Sequence, residues 1–179
     1  DEETIISGKN ILIATGSYPV NPPEIPFDGK RIHDSDTILK MKRFPKSLCV
    51  IGAGVIGCEY ATIYAAMGVK VYLINNRDTI LPFLDTEIAE ALVKQMKKQE
   101  IEILFNTSIT DYKKPKKEKD LIRLTLRNGD ELETDMVLYA AGRSGNISGL
   151  NCDKAGVETG ERETVLVNEN YRTNIPHIY

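Results

Sequence analysis

The feature that most constrains this chain is a glycine run that follows an apolar strand and opens a helix. Gly52, Gly54 and Gly57 form a G-x-G-x-x-G pattern directly after the apolar residues 48–51. In that context the first glycine permits a tight turn, the second lets a pyrophosphate approach the backbone, and the third lets the helix pack closely on the strand. The phosphates then meet free N–H groups at a helix N-terminus. The pattern predicts a dinucleotide-binding turn.

Apolar runs at residues 48–51, 69–74 and 101–105 predict three strands that alternate with two helices. The first helix is predicted to bury one face, formed by Ile56, Tyr60, Ile63, Tyr64 and Met67. The second is predicted to bury Ile88, Leu92 and Met96. This β-α-β-α-β order is typical of a parallel sheet with right-handed crossovers.

Short strands are predicted next, at residues 109–112, 121–127 and 131–134, before a buried strand at residues 135–140. Asn128-Gly129 is a strong hairpin signal between two of them. Residues 113–119, which are rich in lysine, are expected at a solvated hairpin tip. The predicted fold class is α/β: a Rossmann-like βαβαβ parallel sheet with helices on both faces and an inserted three-stranded antiparallel meander.

The residue that ends the second strand of such a unit contacts the adenosine ribose. Here that residue is Asn75, and Asn76 and Arg77 follow it. An asparagine can bond a 2′-hydroxyl without repelling a 2′-phosphate, and Arg77 can form a charge-assisted pair with that phosphate. These residues predict tolerance of both NAD and NADP. The alternative for Arg77 is a solvated loop residue with no ligand.

Composition excludes several classes of protein. The net charge of −3 gives no electrostatic reason to expect a nucleic-acid or membrane partner. Three cysteines and two histidines, with no CxxC pair, predict neither a disulfide framework nor a metal site, and a cytoplasmic location is expected. The stretch from Ser47 to Val69 is long and apolar, but it holds three glycines in its first half and Glu59 at its middle. A buried strand and helix therefore explain it better than a membrane span.

Three segments together resemble the flavoprotein pyridine nucleotide-disulfide oxidoreductases. They are ILIATGSYP at residues 11–19, VIGAGVIGCEYA at 50–61 and DMVLYAAGR at 135–143. Within that family the transhydrogenase branch is the most similar, through RIHDSDTIL at 31–39, LINNRDTILPFLD at 73–85 and GRSGN at 142–146. The resemblance extends over nearly the whole chain.

The resemblance implies that this chain is the central NAD(P)-binding domain of a longer flavoenzyme. Residues 1–28 would be a remnant of the FAD-domain strand and connection, 29–146 the NAD(P)-binding domain, and 147–179 a truncated connection back toward the FAD domain. Both ends are expected to be cut. FAD would be held by the parent protein only, so this chain alone is expected to hold none. Its FAD-binding and interface domains would be partners, and the parent is expected to be a homo-oligomer.

The predicted cofactor-binding residues come from the glycine turn, the end of the second strand and the end of the strand at 135–140. They are Gly52, Ala53, Gly54, Val55, Ile56, Gly57, Glu59, Asn75, Asn76, Arg77, Ala141, Gly142 and Arg143. By resemblance, Glu59 matches an acid near the nicotinamide and flavin, and Gly142 a glycine near the nicotinamide ribose. The alternative for Glu59 is a helix-surface acid. Neither a catalytic residue nor a metal ligand is predicted in this chain.

The resemblance implies an activity that only the parent enzyme performs. The leading hypothesis is a hydride transfer between NAD(H) and NADP(H) through FAD, with this chain binding the nucleotide without turnover. One alternative is the NAD-binding domain of a dihydrolipoamide dehydrogenase or a related disulfide reductase. A nucleotide-sensing module without catalysis is a third hypothesis, from a different class of protein.

Overall fold

The structure is a computed structural model that describes residues 4–115, 117 and 119–179. Residues 1–3 of the predicted FAD-domain remnant, and Lys116 and Glu118 of the predicted hairpin tip, lie outside the described residues. The chain divides into two compact units, Pro19–Gly142 and a second one that combines the described residues up to Tyr18 with Arg143–Tyr179. The sequence prediction places the corresponding borders at residues 28/29 and 146/147. Within the described residues, no helix has the length and apolar character that a membrane crossing requires.

Strands and helices are numbered along the chain. The strands are β1 (Ser17–Pro19), β2 (Ile32–Asp34), β3 (Ser47–Ile51), β4 (Lys70–Ile74), β5 (Glu102–Leu104), β6 (Ile109–Lys113), β7 (Ile122–Leu126), β8 (Glu131–Thr134), β9 (Met136–Tyr139) and β10 (Arg143–Gly145). The α-helices are α1 (Val55–Ala66) and α2 (Thr86–Lys98). Three short 3-10 turns lie at Ile38–Lys40, Ser148–Leu150 and Glu161–Glu163.

A five-stranded parallel sheet forms the centre of the Pro19–Gly142 unit. Its spatial order is β2-β9-β3-β4-β5, and every neighbouring pair is parallel. Strands β6, β7 and β8 form a separate antiparallel sheet. The predicted α/β class, its parallel βαβαβ order and the antiparallel meander are therefore confirmed.

The two faces of the parallel sheet are covered by different kinds of structure. Side chains alternate along each central strand, so that Leu48 and Val50 pack with the helices, whereas Cys49 packs with the meander. Both α1 and α2 contribute to the first of these cores, and β7 and β8 contribute to the second. The expected helices on both faces are thus replaced by helices on one face and a sheet on the other. β3, β4 and β5 follow one another across the sheet in the same direction. Right-handed crossovers between strands added in the same direction place their helices on the same face of the sheet.

The buried faces of the helices differ from the predicted ones. Helix α1 buries Gly57, Cys58, Ala61 and Tyr64, whereas Ile63 is 53% exposed. The prediction was right for Tyr64 and wrong for Ile63 and Met67, because small residues let the helix approach the sheet and the larger ones then face outward. In α2, Met96 is buried as predicted, but Ile88 is exposed and Ala89 takes the inner position.

A buried carboxylate ties β9 to the segments beside it. Asp135 precedes β9, and its Oδ1 accepts hydrogen bonds from Arg43 Nη2 at 2.6 Å and Arg31 Nη2 at 3.2 Å, while its Oδ2 accepts one from the Lys46 backbone N–H. Burial works to raise the pKa of this carboxyl, but the bond from Arg43 and the neighbouring charges hold the pKa below its usual range. The ion pairs therefore hold the amino-terminal edge of the sheet together.

The second unit contains a two-stranded sheet of β1 and β10 and a small core of its own. Cys152, Val157 and Ile178 are its buried hydrophobic residues. Ile11 and Ile178 form an isolated parallel bridge. Gly145 lies against the carbonyl of Glu163 so closely that a Cβ atom would overlap it.

The turn before β2 gives a pH-dependent prediction. Oδ1 of Asp28 accepts backbone hydrogen bonds from Lys30, Arg31 and Ile32 at 2.8 to 3.0 Å. Burial works to raise the pKa of this carboxyl, but these bonds and the charge of Lys114 lower it to about 2. Because the pKa of Asp28 is lower in the folded chain than in the unfolded chain, its charge stabilises the fold above about pH 4. This contribution disappears as the pH falls toward 2.

Asp28→Asn keeps an acceptor oxygen but removes the charge. We expect the free energy of unfolding of the variant to be about 1 kcal/mol lower than that of the original chain at pH 7; this value is reduced because the carboxylate is partly exposed. Near pH 2 we expect the two chains to be equally stable. Urea titrations at several pH values measure the difference, with Asp120→Asn at an exposed carboxylate as the control. A gap between the Asp28 variant and the original chain that stays constant with pH would contradict this assignment.

The contact between α1 and β3 gives a second prediction. A Cβ atom at Gly57 would overlap the carbonyl oxygen of Gly52, whereas a Cβ atom at Gly54 would meet nothing within 4 Å. Gly57→Ala should therefore lower the free energy of unfolding by about 1–3 kcal/mol or more, and Gly54→Ala should leave it nearly unchanged. Thermal unfolding followed by circular dichroism compares the two variants. Equal melting temperatures would show that the helix does not pack as closely as described.

Candidate functional site

Most of the predicted site residues lie at one edge of the parallel sheet. The glycine turn follows β3, Asn75 follows β4, and Ala141 and Gly142 follow β9. Because the strands are parallel, their carboxyl ends meet at this edge. The chain leaves β3 toward β4 on one side, whereas β9 pairs with β3 on the other, so a topological switch point lies at the end of β3. Open α/β sheets bind ligands at such a point.

The turn after β3 is built on close backbone contacts. Gly52 has a φ of 101°, and a Cβ atom there would lie 2.8 Å from Ala141 Cα and 2.9 Å from the carbonyl oxygen of Ala140. Its N–H donates to the carbonyl of Ile74 at 2.8 Å. Only glycine fits this position, because both the backbone conformation and the lack of space exclude a side chain. The contacts bring the ends of β3, β4 and β9 together.

Gly54 is exposed and lies at the N-terminus of α1. Its carbonyl accepts the first helical bond, from the N–H of Cys58, so the N–H groups of Val55, Ile56 and Gly57 have no partner within the helix. The first turn contains no acidic residue. The helix therefore presents N–H groups and the positive end of its dipole beside an open space, an arrangement suited to an anion such as a pyrophosphate.

The loop of residues 76–80 follows β4 and is held by Asn75. This side chain is only 8% exposed, and its Nδ2 donates to the carbonyl of Thr79 at 2.7 Å and to that of Arg77 at 3.5 Å. The Asn75 main chain bonds to Leu104 and Thr107 on the β5 side. Asn76 and Arg77 are exposed. Asn75 therefore fixes the shape of the loop that follows β4.

Thr79 and Leu81, which the sequence patterns did not single out, also take part in the site. The carbonyl of Thr79 accepts the bond from Asn75, and the N–H of Leu81 donates to the carbonyl of Ala53 at 3.1 Å. Leu81 has a φ of 44°, which a leucine rarely adopts. Backbone bonds of this kind do not depend on side-chain chemistry, so the sequence contains no signal for them.

Arg143, the last predicted site residue, belongs to the other compact unit. Its Nε donates to Ser17 Oγ at 2.9 Å and its Nη2 to the carbonyl of Ser17 at 2.7 Å. The guanidinium thus joins β10 to β1 within that unit. Gly142 closes the Pro19–Gly142 unit with a φ of 146°, and its carbonyl accepts a bond from the N–H of Val20 at 3.1 Å.

Ionisable groups lie on the first turns of α1. Glu59 is exposed, and the Tyr60 hydroxyl donates to the carbonyl of Ser35 at 3.2 Å. Burial raises the pKa of Tyr60, and the charges of Asp36 and Glu59 raise it further. Burial and the Glu59 charge also raise the pKa of the Cys58 thiol to about 11. Cys58 is therefore a neutral core residue at pH 7 and has no nucleophilic character there.

A groove of about 890 Å³ runs along α2 and begins at the loop of residues 76–80. Ala89, Val93 and Phe105 give it apolar walls, and three lysines of α2 line it as well. Asp78 and Thr79 also line the groove, so it adjoins the loop that Asn75 holds. Among the described residues, no group of three histidine, cysteine or acidic side chains could hold a metal ion.

Comparison with curated proteins shows close relatives over nearly the whole chain. The chain is 40% identical over 174 residues to a soluble pyridine nucleotide transhydrogenase of Pseudomonas putida, and 42% identical over 178 residues to one of Vibrio parahaemolyticus. These matches cover 97% and 99% of this chain but 37% of each relative. The chain thus spans about 37% of the length of these relatives.

Two solved structures illustrate the similarity in fold. The HOCl-induced flavoprotein disulfide reductase RclA of Escherichia coli matches with a TM-score of 0.82 and 27% identity, over 97% of this chain and 39% of that one. LpdA of Mycobacterium tuberculosis matches with a TM-score of 0.84 and 26% identity, over 95% of this chain and 36% of that one. The family model of the pyridine nucleotide-disulphide oxidoreductases matches residues 1–179. This chain belongs to the pyridine nucleotide-disulphide oxidoreductase family.

Proposed function

We propose that the Pro19–Gly142 unit is the NAD(P)(H)-binding domain of a flavin-dependent oxidoreductase that transfers hydride between NAD(H) and NADP(H) through FAD. One observation carries the proposal. At the switch point of the sheet, Gly54 leaves open space in front of a helix N-terminus whose first turn holds no acid. A Cβ atom at Gly52 or Gly57 would collide with backbone, so the glycine turn has a fixed shape while its middle glycine remains open.

The residues of the site divide by the part of the dinucleotide that each would contact. The N–H groups of Val55, Ile56 and Gly57 suit the pyrophosphate, because they are free and lie at the positive end of α1. We expect Asn75, Asn76 and Arg77 to contact the adenosine ribose, because they follow β4 and the end of the corresponding strand contacts the ribose in dinucleotide-binding folds. We expect both NAD and NADP to be accepted.

The other end of the dinucleotide would lie toward α1 and the end of β9. Ala141 and Gly142 follow β9, and Ala141 lies beside the glycine turn, so we expect this segment to contact the nicotinamide ribose. Glu59 presents an exposed carboxylate in the second turn of α1. The bound nicotinamide supplies the hydride chemistry, and the residues of this chain orient it and set the local charge.

The proposal concerns a parent protein longer than this chain. Relatives named as transhydrogenases are 40–42% identical, whereas the disulfide reductase structure is 27% identical, which favours the transhydrogenase activity over disulfide reduction. FAD, the FAD-binding and interface domains and a homo-oligomeric state belong to the proposed parent. The three free cysteines suit a cytoplasmic location.

Blocking the open space at Gly54 tests the proposed pyrophosphate position. Gly54→Val should retain the fold, because a Cβ atom there meets no neighbour, but its side chain should exclude the pyrophosphate and weaken NAD binding more than 10-fold. Calorimetric titration measures the affinity, and circular dichroism checks the fold. If the variant folds and binds NAD as tightly as the original chain, the pyrophosphate does not lie at this turn.

Removing the charge of Arg77 tests the contact with the 2′-phosphate. Arg77 is exposed, so Arg77→Ala should not disturb the fold. We expect NADP binding to weaken by about 10-fold, because a charge-assisted hydrogen bond is lost, whereas NAD binding should remain nearly constant. Lys98→Ala, at an exposed lysine of the α2 groove, serves as a control for the loss of one positive charge. Equal losses for both nucleotides would assign Arg77 to another part of the ligand.

A further inference from the structure

The tip of the hairpin between β7 and β8 holds Asn128 followed by Gly129, and no other asparagine of the sequence precedes a glycine. Both residues are exposed. Gly129 has a φ of 89°, and a Cβ atom there would meet nothing within 4 Å. Because glycine has no side chain to block the approach, its main-chain nitrogen can reach the side-chain carbonyl carbon of the preceding asparagine. The pair therefore has the covalent arrangement that a spontaneous change of the amide requires.

We propose that Asn128 is a deamidation site whose reactivity is controlled by the β7–β8 hairpin: the closed hairpin protects the side chain, and an open hairpin lets it react. In the reaction the Gly129 nitrogen forms a bond to Asn128 Cγ, and the Cγ–Nδ2 bond breaks. Ammonia leaves with the proton of the Gly129 N–H. Water then opens the succinimide at one of its two carbonyl carbons, which gives an aspartate or an isoaspartate in place of the asparagine.

Both reacting groups are hydrogen-bonded in the closed hairpin. The Gly129 N–H donates to the carbonyl of Leu126 at 2.9 Å. The Asn128 Nδ2 donates to Asp130 Oδ2 at 2.7 Å, and the Asn128 Oδ1 accepts a bond from the Asp130 N–H at 3.1 Å. The attack requires the Gly129 nitrogen to lose its proton and the side-chain amide to turn toward it. Each of these movements breaks bonds of the hairpin, so the closed form is the unreactive one.

The product does not restore the hairpin. A carboxylate in place of the Asn128 amide has no proton to donate, so two negatively charged oxygens would meet where the bond to Asp130 now lies. An isoaspartate also adds one carbon atom to the main chain between β7 and β8, whose register depends on the length of the turn. Both strands contribute to the core that covers one face of the parallel sheet. Deamidation should therefore loosen that core.

The first test compares the rate of deamidation at Asn128 in the full chain and in a peptide of residues 126–131, at the same mildly alkaline pH. Peptide mapping by mass spectrometry after digestion in acid measures both rates, and the other asparagines are internal controls. We expect the full chain to react at least about 5-fold more slowly, which corresponds to one net hydrogen bond of about 1 kcal/mol. A smaller ratio would show that the hairpin does not protect the side chain. A peptide that does not react would show that Asn128 is not a deamidation site.

A variant tests the contact between Asn128 and Asp130. Asp130→Ala removes the carboxylate that accepts the Nδ2 bond, and it is made in both the full chain and the peptide. The ratio of the two rates then cancels the effect of the neighbouring residue on the chemistry itself. We expect this ratio to fall by about 3-fold or more, whereas Asp120→Ala in the full chain should leave the rate unchanged. An unchanged ratio in the Asp130 variant would overturn the role of this contact.

A pair of variants tests the effect of the product on the hairpin. Asn128→Asp should lower the melting temperature, because it places two carboxylates side by side. The double variant Asn128→Asp with Asp130→Asn exchanges the two groups and again sets an amide against a carboxylate, so it should recover most of the loss. Thermal unfolding followed by circular dichroism measures both. A single variant as stable as the original chain, or a double variant no more stable than the single one, would contradict the proposed effect of the product.

Discussion

The close approach of backbone to backbone at the end of β3 is the constraint on which the rest of the site depends. Gly52 touches the chain after β9, and Gly57 touches the carbonyl of Gly52. These contacts set the distance between α1 and the sheet, and they align three strand ends at one edge. A side chain at Gly57 would push the helix away from the turn after β3, and a side chain at Gly52 would push that turn away from the chain after β9.

The layers around the sheet follow from the order of its strands. β3, β4 and β5 are added in one direction, so both crossover helices lie on one face, and the meander of β6, β7 and β8 is left to cover the other. Strict alternation of side chains allows each central strand to serve both cores. The buried Asp135, bonded to Arg31 and Arg43, holds the return strand β9 at the opposite edge from the glycine turn.

The residues at the end of β4 combine a buried hydrogen bond with an exposed charge. Asn75 is nearly enclosed and bonded to Thr79, so its orientation is determined by the protein before any ligand arrives. Arg77 is exposed, and its charge is screened by solvent and salt. The end of β4 therefore combines one side chain whose orientation the fold determines with another that solvent surrounds.

Local patterns in the sequence were enough to predict the class of fold, and they indicate a candidate site at the end of β3. The spacing of Gly52, Gly54 and Gly57 after an apolar strand indicates a backbone geometry that few other structures require, and Asn128-Gly129 indicates a hairpin for the same reason. The three-residue strand β2 was not predicted, because so short a segment has no periodicity of its own and depends on its pairing with β9. The buried faces of α1 and α2 were predicted only in part, because close packing favoured small residues over the larger apolar ones. The tertiary structure alone decided that both helices share one face, that Thr79 holds the amide of Asn75, and that Ser17 binds Arg143, since each depends on contacts between segments distant in sequence or on backbone groups that every residue carries.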